Sequence, residues 1–473
     1  MPATRRRSTT GLLGLLFLLT IPLITPRIFA SDEVQYFAYL RSLWFDRDVA
    51  FGNEYSYFHD RGIAQAHGFR ETFLERRTET GKHINFGTIG SAILWAPFYA
   101  VGHAWALASG AHDADGYSLP YIAAICLASA LYGWLSLVIS LRAGRRILGH
   151  EPPPLATAAS ALAVWFGTPL AFYMYLSPVM AHATSAFATS LFLLVWLVVR
   201  RNWSVAGTAV LGACAALMTM VREQDAFYVP LVAVDFAMTF AAAGASPGTD
   251  GAPGRARLLR AAAAGVAGGV LAFLPQALAY LSLNGRIGPS RLVSRKMYWT
   301  SPHALDVLAS PQHGFLLWTP LALLAAAGLA LLVVSPERRG GPDDQRRLGL
   351  LLLLGAAGQI YVAGSVASWS AAGAFGQRRF VSLTPLLVIG LLVLFERVRG
   401  RARGPVLAAA ALCVYWNLAL MVQFGAGMMD RQRLDVMRAA RVAFLELPAQ
   451  LPDLAYRFLF DRDSFYARRP GRP

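Results

Sequence analysis

Charge is scarce in this chain. Only 15% of its 473 residues are Asp, Glu, Lys or Arg, against roughly 25% in ordinary soluble domains. That scarcity, with 56% hydrophobic residues, excludes a separable soluble domain. Cysteine is nearly absent too. Cys126, Cys214 and Cys413 all fall in apolar segments, so neither a disulfide framework nor a cysteine metal site is indicated. Motif chemistry is equally sparse: no Walker-type loop, dinucleotide fingerprint or helical zincin motif occurs, which speaks against a nucleotide-fuelled pump. No short-period repeat is found. Acid is outnumbered, with Lys+Arg 43 against Asp+Glu 27 and a formal net charge of +16. Such an excess raises nucleic acid as a partner. Here the basic residues sit in short clusters between apolar runs, where membrane orientation accounts for them.

What the chain has is apolar runs of about twenty residues along most of its length, the pattern of a polytopic helical membrane protein. Short basic loops mark the cytoplasmic side. The clusters are Arg5–Arg7, Arg142/Arg145/Arg146, Arg200-Arg201, Arg255/Arg257/Arg260, Arg338–Arg347 and Arg397–Arg403. Placing all six inside gives eleven crossings, at 9–28, 118–141, 154–174, 179–199, 204–221, 226–244, 260–282, 313–334, 348–366, 380–395 and 404–424. The N-terminus is then inside and the C-terminus outside. Segment 86–108 is apolar enough to cross, but a crossing there would invert every later basic loop. It is read as re-entrant or interfacial, helped by Gly87, Gly90 and Pro97. The N-terminal pattern, ending in Ile28-Phe29-Ala30 before Ser31, also fits a cleavable signal peptide; either way Asp32 lies outside.

The expected fold is therefore all-α: about eleven transmembrane helices, with interfacial helices in a long first outer loop, 29–117. The membrane-embedded domain spans 1–424, and 425–473 is an outer tail with surface helices. Stretches 245–254 and 335–342 are cytoplasmic hinges. The other outer segments are 174–179, 222–225, 283–312 and 367–379.

Chemistry concentrates on that outer side. Asp32-Glu33 closes the first apolar run, where two acids demand an interface or a wet cavity. Val34–Phe45 then places Tyr36, Phe37, Leu40, Leu43 and Trp44 on one helical face, with Gln35, Ser42 and Asp46 opposite. Asp32 with Gln35 also suits a helix cap, so spacing alone leaves Asp32 between cap and base. Arg222 sits in the turn Arg222-Glu223-Gln224-Asp225, and Arg378-Arg379 precede another span. Positive charge in short outer loops runs against the orientation bias, and guanidinium matches phosphate. The alternatives are that Glu223 or Asp225 neutralises Arg222, and that Arg378 and Arg379 reach bulk headgroups. Loop 283–312 interleaves Arg295, Lys296, Tyr298 and Trp299, which suits a lid over phosphate or sugar, or an interfacial belt. His59, His67, His83 and His112 show no metal-ligand spacing, so no metal site is assigned, and a divalent ion is left open. His182 lies just inside a span, near the outer face. Asp235 is an intramembrane acid expected to hydrogen-bond inside the bundle.

With the Asp32-Glu33 pair, the outer loops and the span count in place, the chain resembles the C-type (GT-C) glycosyltransferase superfamily. The nearest branch is that of protein O-mannosyltransferases and lipid A aminoarabinose transferases. The resemblance implies a polyprenyl-phosphate sugar donor and transfer at the outer, periplasmic side of a bacterial inner membrane. The acceptor is a glycan, lipid or protein, and membrane lipids are the surroundings; no nucleic acid is involved. Catalytic roles fall to Asp32 and Glu33. Arg222, Arg378, Arg379, Arg295 and Lys296 become the phosphate ligands, and Tyr36, His83 and His182 the acceptor or sugar pocket. A His-Pro-Pro motif frequent in the family is replaced here by His83-Ile84-Asn85-Phe86-Gly87. A family acid near the outer end of a later span is replaced by the region of His182. A polytopic transporter or lipid flippase is the alternative, and a non-catalytic membrane assembly factor a third reading.

Overall fold

The computed structural model describes residues 3–63, 68–245, 254–334, 345–371 and 373–466. His67, most of the first hinge, all of the second, and part of the Arg338–Arg347 cluster lie outside the described residues. Helices carry the structure. In chain order they are α1 Ala3–Thr20, α2 Ser31–Arg41, α3 Gly52–Asp60, α4 Gly90–Ser109, α5 Leu119–Leu148, α6 Pro154–Gly167 and α7 Leu170–Tyr175. Then come α8 His182–Val199, α9 Val205–Val221, α10 Val229–Ala245, α11 Arg255–Asn284, α12 Arg291–Ser294, α13 Ala304–Ala309 and α14 Phe315–Trp318. The last are α15 Leu321–Val334, α16 Gln345–Ser365, α17 Thr384–Arg397, α18 Arg403–Gly425, α19 Val436–Arg441, α20 Leu447–Phe460 and α21 Arg462–Tyr466. Among the described residues no strand forms beyond two isolated bridges, Arg77 with His83 and Met297 with Val366.

Among the described residues, seven helical segments are long and apolar enough to cross a membrane: Leu119–Leu148, His182–Val199, Glu223–Ala243, Arg255–Asn284, Gln345–Ser365, Arg378–Arg397 and Gly400–Gly425. Four shorter apolar helices join them, Thr9–Leu23, Pro154–Gly167, Val205–Val221 and Leu321–Val334. These are the segments that hydropathy marks out, and the chain is an integral membrane protein. Backbones meet closely where side chains are smallest. A Cβ on Gly212 of α9 would lie 1.9 Å from the Gly265 carbonyl oxygen of α11, and one on Gly328 of α15 would lie 1.8 Å from that of Gly390 in α17. Small residues at such crossings replace the hydrophobic drive that lipid cannot supply. By contrast α17 is the buried centre, with every residue from Thr384 to Phe395 inside the bundle.

Helix α4 runs antiparallel along the first half of α5. Trp95 Nε1 donates to Ser129 Oγ at 2.8 Å, the Tyr132 hydroxyl donates to the Leu94 carbonyl at 2.9 Å, and Gly102 abuts Pro120–Tyr121. Its first residues meet the end of α9 at Met220–Val221 and the start of α8, where Ser91 bonds Thr184 at 2.9 Å. Helix α4 thus lies at the Asp32 end of the bundle.

Asp235 ties three helices together at the opposite end. Arg200, closing α8, donates from Nε to Oδ2 at 2.8 Å and from Nη2 to Oδ1 at 3.0 Å. Arg347 of α16 adds a 2.7 Å ion pair, and Trp196 Nε1 donates at 3.0 Å. The acid sits at the basic end of the span, and its arginines are two of those the sequence marks as orientation signals.

Two expectations need correction here. The stretch after Asp32 is not a surface helix with one wet face. Gln35 and Ser42, assigned to the polar face, are 3% and 0% exposed, because they bond to overlying chain. Phe86 N–H donates to Gln35 Oε1 at 2.8 Å, and Ser42 Oγ donates to the Asp48 carboxylate at 2.8 Å. Nor is loop 283–312 a free lid. Tyr298 N–H donates to the Ser365 carbonyl at 2.6 Å, Ala367 N–H to that of Lys296 at 2.7 Å, and His303 N–H to that of Gly364 at 2.9 Å. The loop's backbone donors and acceptors find partners at the end of α16, as buried or half-buried backbone requires.

Candidate functional site

The site forms where the ends of α9 and α16 and the starts of α2, α8 and α17 converge. Helix α2 starts after Ala30, which is extended (φ −103°, ψ 147°). That register puts Asp32 and Glu33 at the second and third helical positions and splits their roles. Glu33 turns back and accepts the Phe29 and Ala30 amides at 3.0 and 3.1 Å, and the Ser177 hydroxyl at 2.6 Å. It is completely buried. Burial pushes its carboxyl pKa up, and the three donors pull against that shift. The cap that spacing offers to Asp32 therefore belongs to Glu33, which is buried with both oxygens engaged. Two orphan amides at the helix start need an acceptor, and the residue three positions on can reach them.

Asp32 is left with its side chain 41% exposed and paired to Arg378, Nη2 to Oδ2 at 2.8 Å. Arg378 opens a 3-10 turn, Arg378–Leu383, at the head of α17. Next to it, Arg379 donates from Nη1 to the Ser368 carbonyl at 2.8 Å and from Nη2 to Ser368 Oγ at 3.0 Å. Arg222 ends α9, and its Nη1 lies 2.7 Å from His182 Nδ1. A guanidinium can only donate, so His182 Nδ1 accepts and the ring is the neutral Nε2–H tautomer. His182 is buried, with Tyr173 edge-on at 4.4 Å between centroids. The acids beside Arg222 bond elsewhere, Asp225 to the Ser185 hydroxyl at 2.6 Å and Glu223 to the Tyr280 hydroxyl. Arg222 is thus not paired off by its neighbours, although the buried Asp225 charge acts on it through space.

Tyr36 joins these groups. It is half-buried and lies against Gly87. Asp32, Glu223, Arg222 and Arg378 all act on its phenol, whose pKa burial raises. His182 in turn feels Arg222, Arg378 and Arg379. The strap 84–89 braces the assembly. Asn85 Nδ2 donates to the Gln35 carbonyl at 3.0 Å, Thr88 Oγ1 to that of Val221 at 2.9 Å, and Ile89 N–H to Gln276 Oε1 at 2.9 Å. This strap is the chain that stands where the resemblance has a His-Pro-Pro motif.

Of the candidates read from sequence, Asp32, Tyr36, His182, Arg222, Arg378 and Arg379 come together. Three do not. Arg295 and Lys296 are exposed, and the Lys296 ammonium lies 5.2 Å from the Phe86 ring centroid. Among the described residues neither bonds to Asp32, Arg222, Arg378 or Arg379; the anchored backbone of their loop holds them aside. His83 donates from Nδ1 to the Ala50 carbonyl (2.9 Å), contacts Arg77 through Nε2, and lines a separate cavity of about 550 Å³ with Gly52, Ser56, His59, Arg70 and Arg77. Among the described residues no group of three or more His, Cys, Asp or Glu side chains could hold a metal ion. Tyr280 and Gln276 escape sequence reading because both lie inside an apolar span. Their one signal is that two polar side chains, one helical turn apart, share a face of α11.

Neither a protein-family model nor a curated protein matches the sequence. Solved structures do match. One is the crystal structure of ArnT from Cupriavidus metallidurans bound to undecaprenyl phosphate. It superposes with a TM-score of 0.55 at 14% identity, over 98% of this chain and 75% of that one. The chain has a GT-C-like fold. In the GT-C-like frame, α1 leads directly into the acidic start of α2, and the ends of α9 and α16 with the head of α17 bring the guanidiniums to it.

The division of labour between the two acids is open to a direct check. Glu33→Ala should lower the thermal unfolding midpoint, because each buried donor left without a partner costs about 1–3 kcal/mol. Glu33→Gln, which keeps acceptor oxygen, should restore much of the loss. Equal midpoints for Glu33→Ala and the parent protein would show that the cap contributes nothing.

Proposed function

We propose that the protein transfers a sugar from a polyprenyl-phosphate donor to an acceptor hydroxyl at the outer, periplasmic face of a bacterial inner membrane. One observation carries the reading. Asp32 is a half-exposed carboxylate beside three guanidiniums, and among the described residues two of those, Arg222 and Arg379, hydrogen-bond only to neutral partners, His182 and Ser368. A site with surplus positive charge and a base paired only to Arg378 among the described residues suits an anionic leaving group and a hydroxyl nucleophile. That ArnT, which shares the fold, was crystallised with undecaprenyl phosphate supports the choice of donor.

In this mechanism the acceptor oxygen attacks the anomeric carbon while Asp32 takes its proton. The bond from the anomeric carbon to the phosphate oxygen breaks, and polyprenyl phosphate leaves with the electron pair. Arg378 orients Asp32 through their 2.8 Å ion pair. Arg222 and Arg379 hold the phosphate and neutralise the charge that builds on it, the role that preorganised donors play in a low-dielectric site. His182, neutral and buried, acts on Arg222 by fixing its guanidinium. A single displacement inverts the sugar. The acidic start of α2 faces the side opposite the basic clusters, which is what an outer-leaflet donor requires.

The experiment is a binding measurement with undecaprenyl phosphate on protein in nanodiscs. Arg222→Ala should weaken binding by about 10–100-fold, the worth of one hydrogen bond between charged groups, and the affinity of the parent protein should fall as salt rises. An affinity unchanged in Arg222→Ala would remove that residue from the phosphate site.

A further inference from the structure

Beside the charged group lies a second polar pair that the chemistry above does not use. Glu223 follows Arg222 in the turn between α9 and α10, is half-buried, and accepts the Tyr280 hydroxyl from α11. Tyr280 is itself 6% exposed. Behind them, Tyr39 of α2 and Gln276 of α11 are neighbours. Both are wholly buried, and among the described residues the Tyr39 hydroxyl and Gln276 Nε2 have no hydrogen-bond partner of good geometry. The Tyr36 phenol lies within electrostatic reach of Glu223, Arg222, Asp32 and Arg378 alike.

We propose that Glu223 and Tyr280, with the Tyr36 ring beside them, form the subsite that selects the sugar of the donor, accepting hydrogen bonds from a hydroxyl or ammonium group on its ring. The proposal rests on the donor reading above. A sugar joined to a phosphate held by Arg222 must lie within one ring of that guanidinium and of Asp32, and Glu223 is the adjoining residue. The Tyr280 proton is already committed to Glu223, so the pair offers oxygen lone pairs and recognises donors. A carboxylate desolvated to this degree is costly to keep, and a substrate that bonds to it offsets the cost. A phenol–carboxylate pair that merely latched α11 to the turn would need neither Tyr36 beside it nor the buried polar ends of Tyr39 and Gln276. Sites built to bond a substrate hydroxyl discriminate strongly against analogues that lack it.

The test uses protein in nanodiscs and three probes: undecaprenyl phosphate, undecaprenyl-phosphate mannose and undecaprenyl-phosphate 4-amino-4-deoxyarabinose. The parent protein should bind at least one sugar-bearing lipid about tenfold or more tighter than the bare lipid, an increment typical of hydroxyl recognition. A gain on the aminopentose identifies an ammonium, and a gain on mannose alone a hydroxyl. Glu223→Gln and Tyr280→Phe should each erase most of that increment without weakening affinity for bare undecaprenyl phosphate. A latch would instead lower stability and weaken all three probes alike, and that result overturns the proposal. So does an increment that survives in both variants, or no increment for either sugar. Absence of saturable binding by the bare lipid would strike the donor reading itself.

Discussion

Asp32→Asn should reduce sugar transfer by about 10²–10⁴-fold, the usual contribution of a positioned general base, while the protein remains folded and inserted. The structure permits this separation because Asp32 does not hold the fold together. Glu33 makes the helix cap, and among the described residues the one ion pair of Asp32 is with Arg378, whose side chain is 22% exposed. Asparagine keeps an oxygen for Arg378 and loses the ability to accept a proton. It also removes a negative charge beside the phosphate site, so donor affinity should hold or improve as turnover collapses. A fall in kcat with an unchanged or lower KM is the signature of an interaction made in the transition state. Steady-state kinetics on purified protein would check it. Near-parental kcat in Asp32→Asn removes the residue from the chemistry.

The second large effect is structural. Asp235→Ala should prevent accumulation of folded protein. The Asp235 side chain is 1% exposed and is shared by Arg200, 8% exposed, and Arg347, 19% exposed. Taking away one partner of a buried ion pair typically costs 3–5 kcal/mol, because the remaining charge stays in a dry site. Here one acid serves two guanidiniums and the Trp196 indole, so α8, α10 and α16 lose their common tie together. Asp235→Asn should be milder, since it keeps an acceptor. Fluorescence-detected size-exclusion chromatography of tagged variants reads the outcome. A monodisperse peak of parental height for Asp235→Ala would show that the three helices are held by packing alone.

Much of the fold can be read from hydropathy, because the bilayer imposes a length on each span and charge marks the loops between. The same bookkeeping brings Asp32, Arg222, Arg378 and Arg379 to one end of the bundle, where side-chain geometry then joins them. The division between Asp32 and Glu33 is not legible, since it turns on whether α2 starts one residue earlier or later, and boundaries are the weakest part of any pattern. The anchoring of loop 283–312 depends on a backbone register with residues 364–367 that no periodicity records. Asp235 is visible as a buried acid, but Arg200 and Arg347 already serve as orientation markers, and nothing in the sequence pairs them with it. Tyr280 and Gln276 are hidden by the apolar span that carries them.

The decisive measurement is the fate of undecaprenyl-phosphate sugars on liposomes containing the purified protein, with an acceptor extract and no ion or voltage gradient, followed by mass spectrometry. Loss of the donor with appearance of free undecaprenyl phosphate, abolished by Asp32→Asn, is the expected result. Donor that crosses to the other leaflet chemically intact would contradict it and would make the protein a carrier.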